Sequence, residues 1–300
     1  MRGWWQDLSD LVLPALCAGC GRSRTSLCAR CSAALSGAVP GRVRPRSGAP
    51  GLPVVHAAAP YEDAVRAVLL AHKERGALGL AGPLGAALAA AVLGGLSGPA
   101  PQGLTVASQQ RQRQRQRQRQ RRRQRLTETG PQGLGAALAG PRPGTVGLVP
   151  VPSAARAVRA RGHDPMRRIA YAAAAELRRT GVPARVLAVL RQRRPVADQA
   201  GLDARERLAN VTGALEVAAG SCGLLREVGR IVVVDDLMTT GASLAEAARA
   251  VRALTRPESG NGEVGDGPEG RAAGSRMAEP AEVLGAVIAA SPDSFEINRK

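Results

Sequence analysis

The stretch Ile231-Val-Val-Val-Asp-Asp-Leu-Met-Thr-Thr-Gly-Ala-Ser243 joins a run of β-branched residues to two carboxylates, and then to hydroxyl residues and a glycine. The β-branched run at 231–234 predicts a buried strand. The Ala-rich residues from about 243 to 254 predict a helix that follows it. Because ligands of α/β sheets bind beyond the carboxyl ends of the strands, we expect Asp235 and Asp236 to mark a binding site.

The residue types after this strand indicate what would bind there. A helix start offers free backbone N–H groups and the positive end of the helix dipole, which together bind phosphate, and Thr239, Thr240 and Ser243 add hydroxyl donors. Asp235 and Asp236 suit sugar hydroxyls or a magnesium ion, which takes oxygen ligands. An acidic pair beside a phosphate cradle fits a sugar phosphate better than a nucleoside triphosphate. A plain helix N-cap would need one Asp or Ser and would leave the second Asp and the Thr-Thr-Gly run without a role.

Strand and helix patterns alternate along the rest of the chain. Short apolar runs predict strands at 54–59, 146–152, 186–190, 231–234 and 283–290. Helical spacing predicts two further helices, whose apolar sides are Val65, Val68, Leu69 and His72 within residues 61–75, and Ile169, Ala173 and Leu177 in the second. Such alternation is typical of an α/β fold with a largely parallel sheet covered by helices on both faces.

Composition divides the chain into segments. Residues 1–36 form a cysteine module, 37–53 a Gly/Pro/Arg-rich linker, 54–290 the α/β domain and 291–300 a tail. The domain is interrupted at about 97–144 and 256–280, where hydrophobic periodicity is absent. Such segments cannot bury enough apolar surface to fold, so we expect two disordered insertions.

The charge of the chain is unevenly distributed. The formal net charge is +18, from 42 basic and 24 acidic residues. Nine arginines lie in the Arg-Gln run at 109–125, which has no acid, so the rest of the chain carries +9. This run fits the phosphate backbone of single-stranded or double-stranded DNA without sequence preference, or has no function as a low-complexity insertion. Aromatic residues make up only 2% of the chain, which argues against base stacking as its main activity.

Two further clusters of basic residues lie within the predicted domain. They are Arg156, Arg159, Arg161, Arg167 and Arg168, and Arg191, Arg193 and Arg194. Arginines in this density suit a diphosphate or a nucleic acid. Solvated helix faces give the same pattern, so the sequence leaves both interpretations open.

Four of the five cysteines form two Cys-x-x-Cys pairs, Cys17 with Cys20 and Cys28 with Cys31. Each pair can aim two thiolates at one point, so the two pairs supply the four soft ligands of a tetrahedral zinc ion. Disulfides are disfavoured in the cytosol, and a redox pair would not need two copies. A zinc ion with four protein ligands is structural, because no coordination position stays open for substrate. Cys222 stands alone and is expected to be a small buried hydrophobic residue.

The sequence favours a cytoplasmic protein without membrane insertion. Asp7, Asp10 and Pro14 interrupt the apolar stretch before Cys17, so no secretory signal is convincing. Residues 78–105 carry no charge, but they are rich in Gly and Ala and contain few large apolar side chains. We therefore expect a buried helix there rather than a membrane span.

At these motifs the chain resembles a known family. Asp235-Asp236 with Thr239-Thr240-Gly241 is similar to the phosphoribosyl pyrophosphate (PRPP) loop of type I phosphoribosyltransferases. Together with the cysteine cluster, it resembles the ComF family of bacterial competence-associated proteins, over most of residues 8–290 apart from the insertions. Further matches are Leu13-Pro14, Lys73, Val149-Pro-Val-Pro152, Arg161-Gly162, Gln199, Glu206-Arg207 and Asn210.

The resemblance implies a fold and a reaction. The fold would be a type I phosphoribosyltransferase-like parallel sheet flanked by helices, with a small N-terminal zinc-binding unit. The ligand would be PRPP, bound together with Mg²⁺. The reaction would transfer the phosphoribosyl group to an unidentified acceptor, such as a nucleobase, and release pyrophosphate.

The resemblance also implies roles for particular residues. Asp235 and Asp236 would bind the ribose hydroxyls. The 5′-phosphate would be held by Thr239, Thr240, Gly241, Ala242 and Ser243. Ser153, beside Ala154, would face pyrophosphate, and Arg161 would reach over it, where a planar and permanently charged guanidinium suits a diphosphate. Asp235, Asp236 and Arg161 are thus the implied catalytic residues.

One segment departs from the family pattern. The family usually reads Arg-Gly-Phe-Asn-Gln where this chain has Arg161-Gly-His-Asp-Pro165. A carboxylate at Asp164 would repel pyrophosphate, and Pro165 stiffens the backbone. His163 would act in proton transfer or, as a lone histidine in an Arg-rich loop, would simply be solvated. The alternative function is therefore a nucleic-acid-handling protein of DNA uptake, in which the PRPP pocket is regulatory or vestigial.

Overall fold

The apolar run at 231–234 lies in the middle of a six-stranded sheet. The computed structural model describes residues 16–97, 144–196, 203–255 and 282–295. The strands in these residues are β1 Gly41–Val43, β2 Val55–Pro60, β3 Val146–Pro150, β4 Ala184–Val186, β5 Leu190–Gln192, β6 Leu215–Val217, β7 Arg230–Met238 and β8 Val283–Ala290. The six-stranded sheet has the order β1-β2-β8-β7-β3-β4, and only β1 runs antiparallel to its neighbour. The pair β5 and β6 forms a small antiparallel sheet of its own.

Helices of the described residues connect and cover these strands. They are α1 Ala29–Ser36, α2 Asp63–Glu74, α3 Ala81–Ser97, α4 Ala155–Arg161, α5 Pro165–Arg179, α6 Ala204–Val211, α7 Cys222–Arg226 and α8 Ala242–Thr255. The predicted apolar sides of α2 and α5 are buried, including Val68, His72, Ile169 and Leu177. The predicted α/β class with a mostly parallel sheet is therefore confirmed.

Strand β7 explains why the sheet has a core on each side. Its side chains alternate, so Val232 and Val234 join the core formed with α2, α3 and α5, whereas Ile231 and Val233 join the core formed with α8. All four are buried, as are all residues of β3 and β8. Such continuous apolar runs are typical of parallel strands that are covered on both faces.

The uncharged region predicted as a buried helix begins with a 20-residue helical stretch, in which the 3-10 turn Leu78–Leu80 leads into α3. This helix, Leu78–Ser97, is the one helix among the described residues that is long and apolar enough to cross a membrane, with a mean hydropathy of 1.7. Half of that apolar window is buried inside the protein, and Leu84 and Leu88 lie fully in the core. This packing agrees with the predicted core helix.

Several predicted strand bounds differ from the structure, and β2 lies at 55–60 rather than 54–59 while β3 ends at Pro150 rather than at residue 152. The predicted strand at 186–190 is wrong, because Val186 ends β4 whereas Leu190 begins β5 in the other sheet. Leu187 and Val189, which lie between the two strands, are also apolar and buried. The sequence therefore shows one continuous apolar run where the structure has two short strands. Strand β7 is longer than predicted and continues to Met238.

Some predicted segments fall partly or wholly outside the described residues. These are residues 1–15 of the cysteine module, 98–143 and 256–280 of the two insertions, and 296–300 of the tail. Residues 37–53, predicted as a linker, include β1, which pairs with β2 through Gly41–Val43 and Val55–Ala57.

Candidate functional site

A cavity of about 630 Å³ lies at the carboxyl ends of β3 and β7. Of the residues predicted to bind PRPP or to act in catalysis, it is lined by Asp235, Asp236, Thr239, Ser243, Ser153 and Arg161. These residues come from β7, the start of α8, the turn after β3 and the end of α4. The parallel sheet brings them together because the strands that precede them end at the same edge.

The two carboxylates differ in their surroundings. Asp235 accepts a hydrogen bond from the backbone N–H of Asp236 at 2.9 Å, and Asp236 accepts one from Lys73 Nζ, also at 2.9 Å. Burial, together with the charge of Asp236, raises the pKa of Asp235 to about 8. The charge of Asp236 also raises the pKa of Lys73. The site therefore holds an acidic pair that is partly neutralised by one proton and one ammonium group.

The loop Thr239–Gly241 connects β7 to α8. Gly241 has a φ of +74°, which favours glycine, and an added Cβ would lie 2.7 Å from a methyl carbon of Leu52. The N–H of Ala242 donates to Thr240 Oγ1 at 3.4 Å. Thr240, Gly241 and Ala242 line a neighbouring pocket of about 30 Å³ rather than the larger cavity. Thr239 and Ser243 border both spaces, so these two hydroxyls face the cavity.

The segment that departs from the family pattern starts a helix. The Asp164 side chain accepts a hydrogen bond from the N–H of Arg167 at 3.2 Å and so caps α5, and Pro165 occupies the first turn. Asp at the N-cap and Pro at the first helical position are both favoured at helix starts. Ser153 Oγ also donates to Asp164 at 3.2 Å. Asp164 therefore ties the predicted pyrophosphate turn to α5.

His163 is half-buried, so the expectation that it is simply solvated is not met. Its Nδ1 lies 3.0 Å from the carbonyl oxygen of Arg161, and its ring meets that of buried His72 edge-on with centroids 6.4 Å apart. Its Nε2 is buried without a hydrogen-bond partner among the described residues. Neither ring lines the cavity.

Arg161 reaches the cavity but is already paired. One terminal nitrogen, Nη2, donates to both carboxylate oxygens of Glu74 at 3.0 Å. The Arg161 side chain is 22% exposed, whereas that of Glu74 is 50% exposed. The cation predicted to bind pyrophosphate is therefore present at the cavity and neutralised by a neighbouring helix.

Four charged residues that line the cavity were absent from the predicted site. They are Lys73, Glu74, Arg156 and Arg207. The sequence contains a signal for Lys73, because Lys73 and Lys300 are the only lysines in a chain with 42 basic residues. An ammonium group that stands alone among arginines has a distinct chemistry, and here it contacts Asp236.

The four paired cysteines form a second candidate site. Their Sγ atoms all lie within 4.8 Å of one another, and a zinc ion with Zn–S bonds of about 2.3 Å needs sulfur atoms about 3.8 Å apart. The Sγ atoms of Cys20 and Cys28 are 3.6 Å apart. Gly19 is required by this packing, because a Cβ there would lie 2.7 Å from Cys31 Sγ. The donor set thus fits a tetrahedral metal, in agreement with the predicted structural zinc.

The electrostatics of the cluster also fit a cation. Burial alone would raise the pKa of the Cys17 thiol, but backbone N–H groups, led by that of Cys28, bring it down to about 6. Burial and the neighbouring thiols raise the pKa of Cys31 to about 12. Four thiolates cannot coexist in this space without a positive charge, and a divalent metal supplies it.

A larger cavity, of about 860 Å³, lies elsewhere against α8. Its walls are mainly apolar and come from α6, α8 and the turn at Pro50 and Gly51. Glu246 and Arg249, which line it, are paired with each other at 2.7 Å. The smaller cavity is the better candidate for chemistry, because its lining brings together carboxylates, hydroxyls and cations.

No family model and no curated protein matches the chain. The functional assignment therefore rests on the residues of the chain and on the geometry of the two sites.

Proposed function

We propose that the chain is a phosphoribosyltransferase-like protein that binds PRPP in the cavity at the carboxyl ends of β3 and β7. The observation that carries this proposal is the convergence of two carboxylates, two hydroxyls and one arginine on a single cavity. Asp235 and Asp236 come from β7, Thr239 and Ser243 from the α8 start, and Arg161 from α4. The first four are supplied by one short stretch of sequence, residues 235–243.

Each group has a role that matches its chemistry. The hydroxyls of Thr239 and Ser243, with the first N–H groups of α8, hold the 5′-phosphate. Asp235 and Asp236 accept hydrogen bonds from the two ribose hydroxyls, and their oxygens are also the kind of ligand that Mg²⁺ takes with PRPP. The turn at Ser153 and the guanidinium of Arg161 bind pyrophosphate.

The proposed reaction is displacement at C1 of the ribose. The bond between C1 and the pyrophosphate oxygen breaks, and its electron pair leaves with pyrophosphate. A nucleophilic atom of the acceptor, such as a nucleobase nitrogen, bonds to C1, and its proton passes to the departing pyrophosphate. The carboxylates of Asp235 and Asp236 stabilise the positive charge that develops on the sugar, and Arg161 stabilises the departing pyrophosphate.

The same proposal covers the fold and the family. The mostly parallel sheet, the acidic pair in its central strand and the N-terminal cysteine cluster support a type I phosphoribosyltransferase-like domain of the ComF family. In this arrangement zinc stabilises the N-terminal segment, and Mg²⁺ enters with PRPP.

Titration of PRPP into the protein by calorimetry, with Mg²⁺ present, tests the proposed site. We expect Asp235→Asn and Asp236→Asn each to weaken binding by about 10- to 100-fold, because a hydrogen bond to a charged group contributes about 1.5–3 kcal/mol. The fold should persist, since asparagine has nearly the same shape.

The matched control is Asp293→Asn, an exposed aspartate in the turn Pro292–Ser294 that does not line the cavity. Its affinity for PRPP should equal that of the wild type. Unchanged affinity in both Asp235→Asn and Asp236→Asn would place the site elsewhere. Absence of binding in the wild type would favour the nucleic-acid-handling alternative.

A further inference from the structure

Two neighbouring residues at the end of α2 neutralise both charged sides of the cavity. Lys73 Nζ contacts the carboxylate of Asp236 at 2.9 Å, and Glu74 contacts the guanidinium of Arg161 at 3.0 Å. The two pairs join α2 to β7 and to α4, elements far apart in the sequence. One short piece of helix thus presents a cation to the acidic pair and an anion to the arginine.

The position of Glu74 is not explained by the stability of its own helix. Glu74 is the last residue of α2, where the negative end of the helix dipole repels a carboxylate. Half of its side chain is exposed, so it contributes little to packing. Its described polar contact is the one with Arg161, in which a single guanidinium nitrogen meets both carboxylate oxygens.

This contact puts Glu74 in competition with an anionic ligand. The proposed pyrophosphate group of PRPP would use the guanidinium that Glu74 already holds. A carboxylate carries one charge, whereas a diphosphate carries more charge and more acceptor oxygens, and it pairs more strongly with arginine. A diphosphate can therefore displace Glu74 from Arg161, and its binding offsets the free energy of the broken ion pair.

We propose that Glu74 is an autoinhibitory residue, which pairs with Arg161 in the absence of ligand and must be displaced when a diphosphate binds the guanidinium. The identity of the diphosphate as part of PRPP rests on the proposed function. The competition itself needs only the cavity, Arg161 and an anion.

Calorimetric titration of inorganic pyrophosphate into the wild type and Glu74→Gln tests the competition. We expect Glu74→Gln to bind pyrophosphate about two- to fivefold more tightly, which is the range that one exposed ion pair contributes. Glu62→Gln is the matched control, since Glu62 is exposed at the opposite end of α2 and caps nothing with its side chain. It should behave as the wild type does.

A double-mutant cycle separates this role from a structural one. In the Arg161→Gln background, Glu74→Gln should no longer tighten pyrophosphate binding, because the contested cation is gone. The proposal is overturned if Glu74→Gln binds pyrophosphate no more tightly than the wild type, or if the gain persists without Arg161. It is also overturned if neither protein binds pyrophosphate, because Arg161 would then fail to bind the anion even when Glu74 no longer holds it.

The same variants distinguish this proposal from the proposed function. PRPP binding that depends on Asp235, combined with no effect of Glu74→Gln on pyrophosphate, would leave the function standing and remove the role of Glu74. A gain in pyrophosphate affinity in Glu74→Gln without any PRPP binding would leave the role of Glu74 standing and remove the proposed function.

Discussion

Replacing Cys17 with serine is expected to reduce bound zinc from about one ion per chain to nearly none. Cys17 is 3% exposed, and its sulfur accepts a hydrogen bond from the N–H of Cys28 at 3.3 Å. A serine hydroxyl is a poor zinc ligand at neutral pH. Structural zinc sites of small units contribute about 10–16 kcal/mol of apparent binding free energy at pH 7, so the loss should unfold the segment around the four cysteines. Metal analysis by mass spectrometry and limited proteolysis of residues 16–36 measure the two effects.

The loss of zinc is also expected to weaken ligand binding in the cavity. Ala64 of α2 packs against the cysteine cluster, and Leu35 of α1 is buried in the core with Ala58 of β2. The same helix α2 carries Lys73 and Glu74 at its other end. A loosened cysteine segment should therefore lower PRPP affinity through α2, although none of the cysteines lines the cavity.

Cys222→Ser is the matched control for the zinc experiment. Cys222 starts α7, is half-buried and lies outside the cluster of four. Its replacement should leave zinc content and protease resistance unchanged. A Cys17→Ser protein with undiminished zinc, or a metal-free wild type of equal stability, would contradict the structural zinc.

The sequence predicted best what depends on local patterns. The two Cys-x-x-Cys pairs, the β-branched run of β7 and the apolar strand β8 each carry their signal within a few residues. The strand at 283–290 was therefore predicted with its observed ends. The prediction of one strand at 186–190 was wrong because apolar character alone does not show which sheet a short segment joins.

The contacts that set the charge of the cavity could not be predicted in this way. Lys73 and Asp236 are 163 residues apart, and Glu74 and Arg161 are 87 residues apart. Such pairs exist only because α2, β7 and α4 meet at one edge of the sheet. The family pattern placed Asp235, Asp236 and Arg161 at the site, but it carried no information about their partners.

The affinity for PRPP is expected to rise by about tenfold for each pH unit up to pH 8, and then to level off. Burial and the charge of Asp236 raise the pKa of Asp235 to about 8, so this carboxyl is mostly protonated at pH 6. The proposed contact with ribose hydroxyls requires the ionised form, and one proton released on binding changes the affinity by about tenfold per pH unit. Calorimetry at pH 6, 7 and 8 measures the slope. The phosphates of the ligand also titrate, with a second pKa near 6, and they do so equally in the Asp235→Asn variant. The variant should therefore lose only the part of the pH dependence of affinity that Asp235 supplies.

The same raised pKa should make the folded state less stable as the pH rises. An unfolded aspartate ionises near its usual pKa of 3.8, whereas Asp235 in the fold keeps its proton to about pH 8. The native state therefore binds more protons than the unfolded state between these values, so the free energy of unfolding falls with pH across this window. Asp235→Asn should remove that fall, which for one extra bound proton is at most about 1.4 kcal/mol per pH unit, and it should be more stable than the wild type at pH 8. Urea unfolding at pH 5 and pH 8 measures it, and equal pH dependence in both proteins would show that Asp235 is ionised in the empty cavity. Ionised Asp235 thus lowers the stability of the fold but is required for the proposed binding. Its presence in the sequence is explained by ligand binding rather than by the stability of the protein.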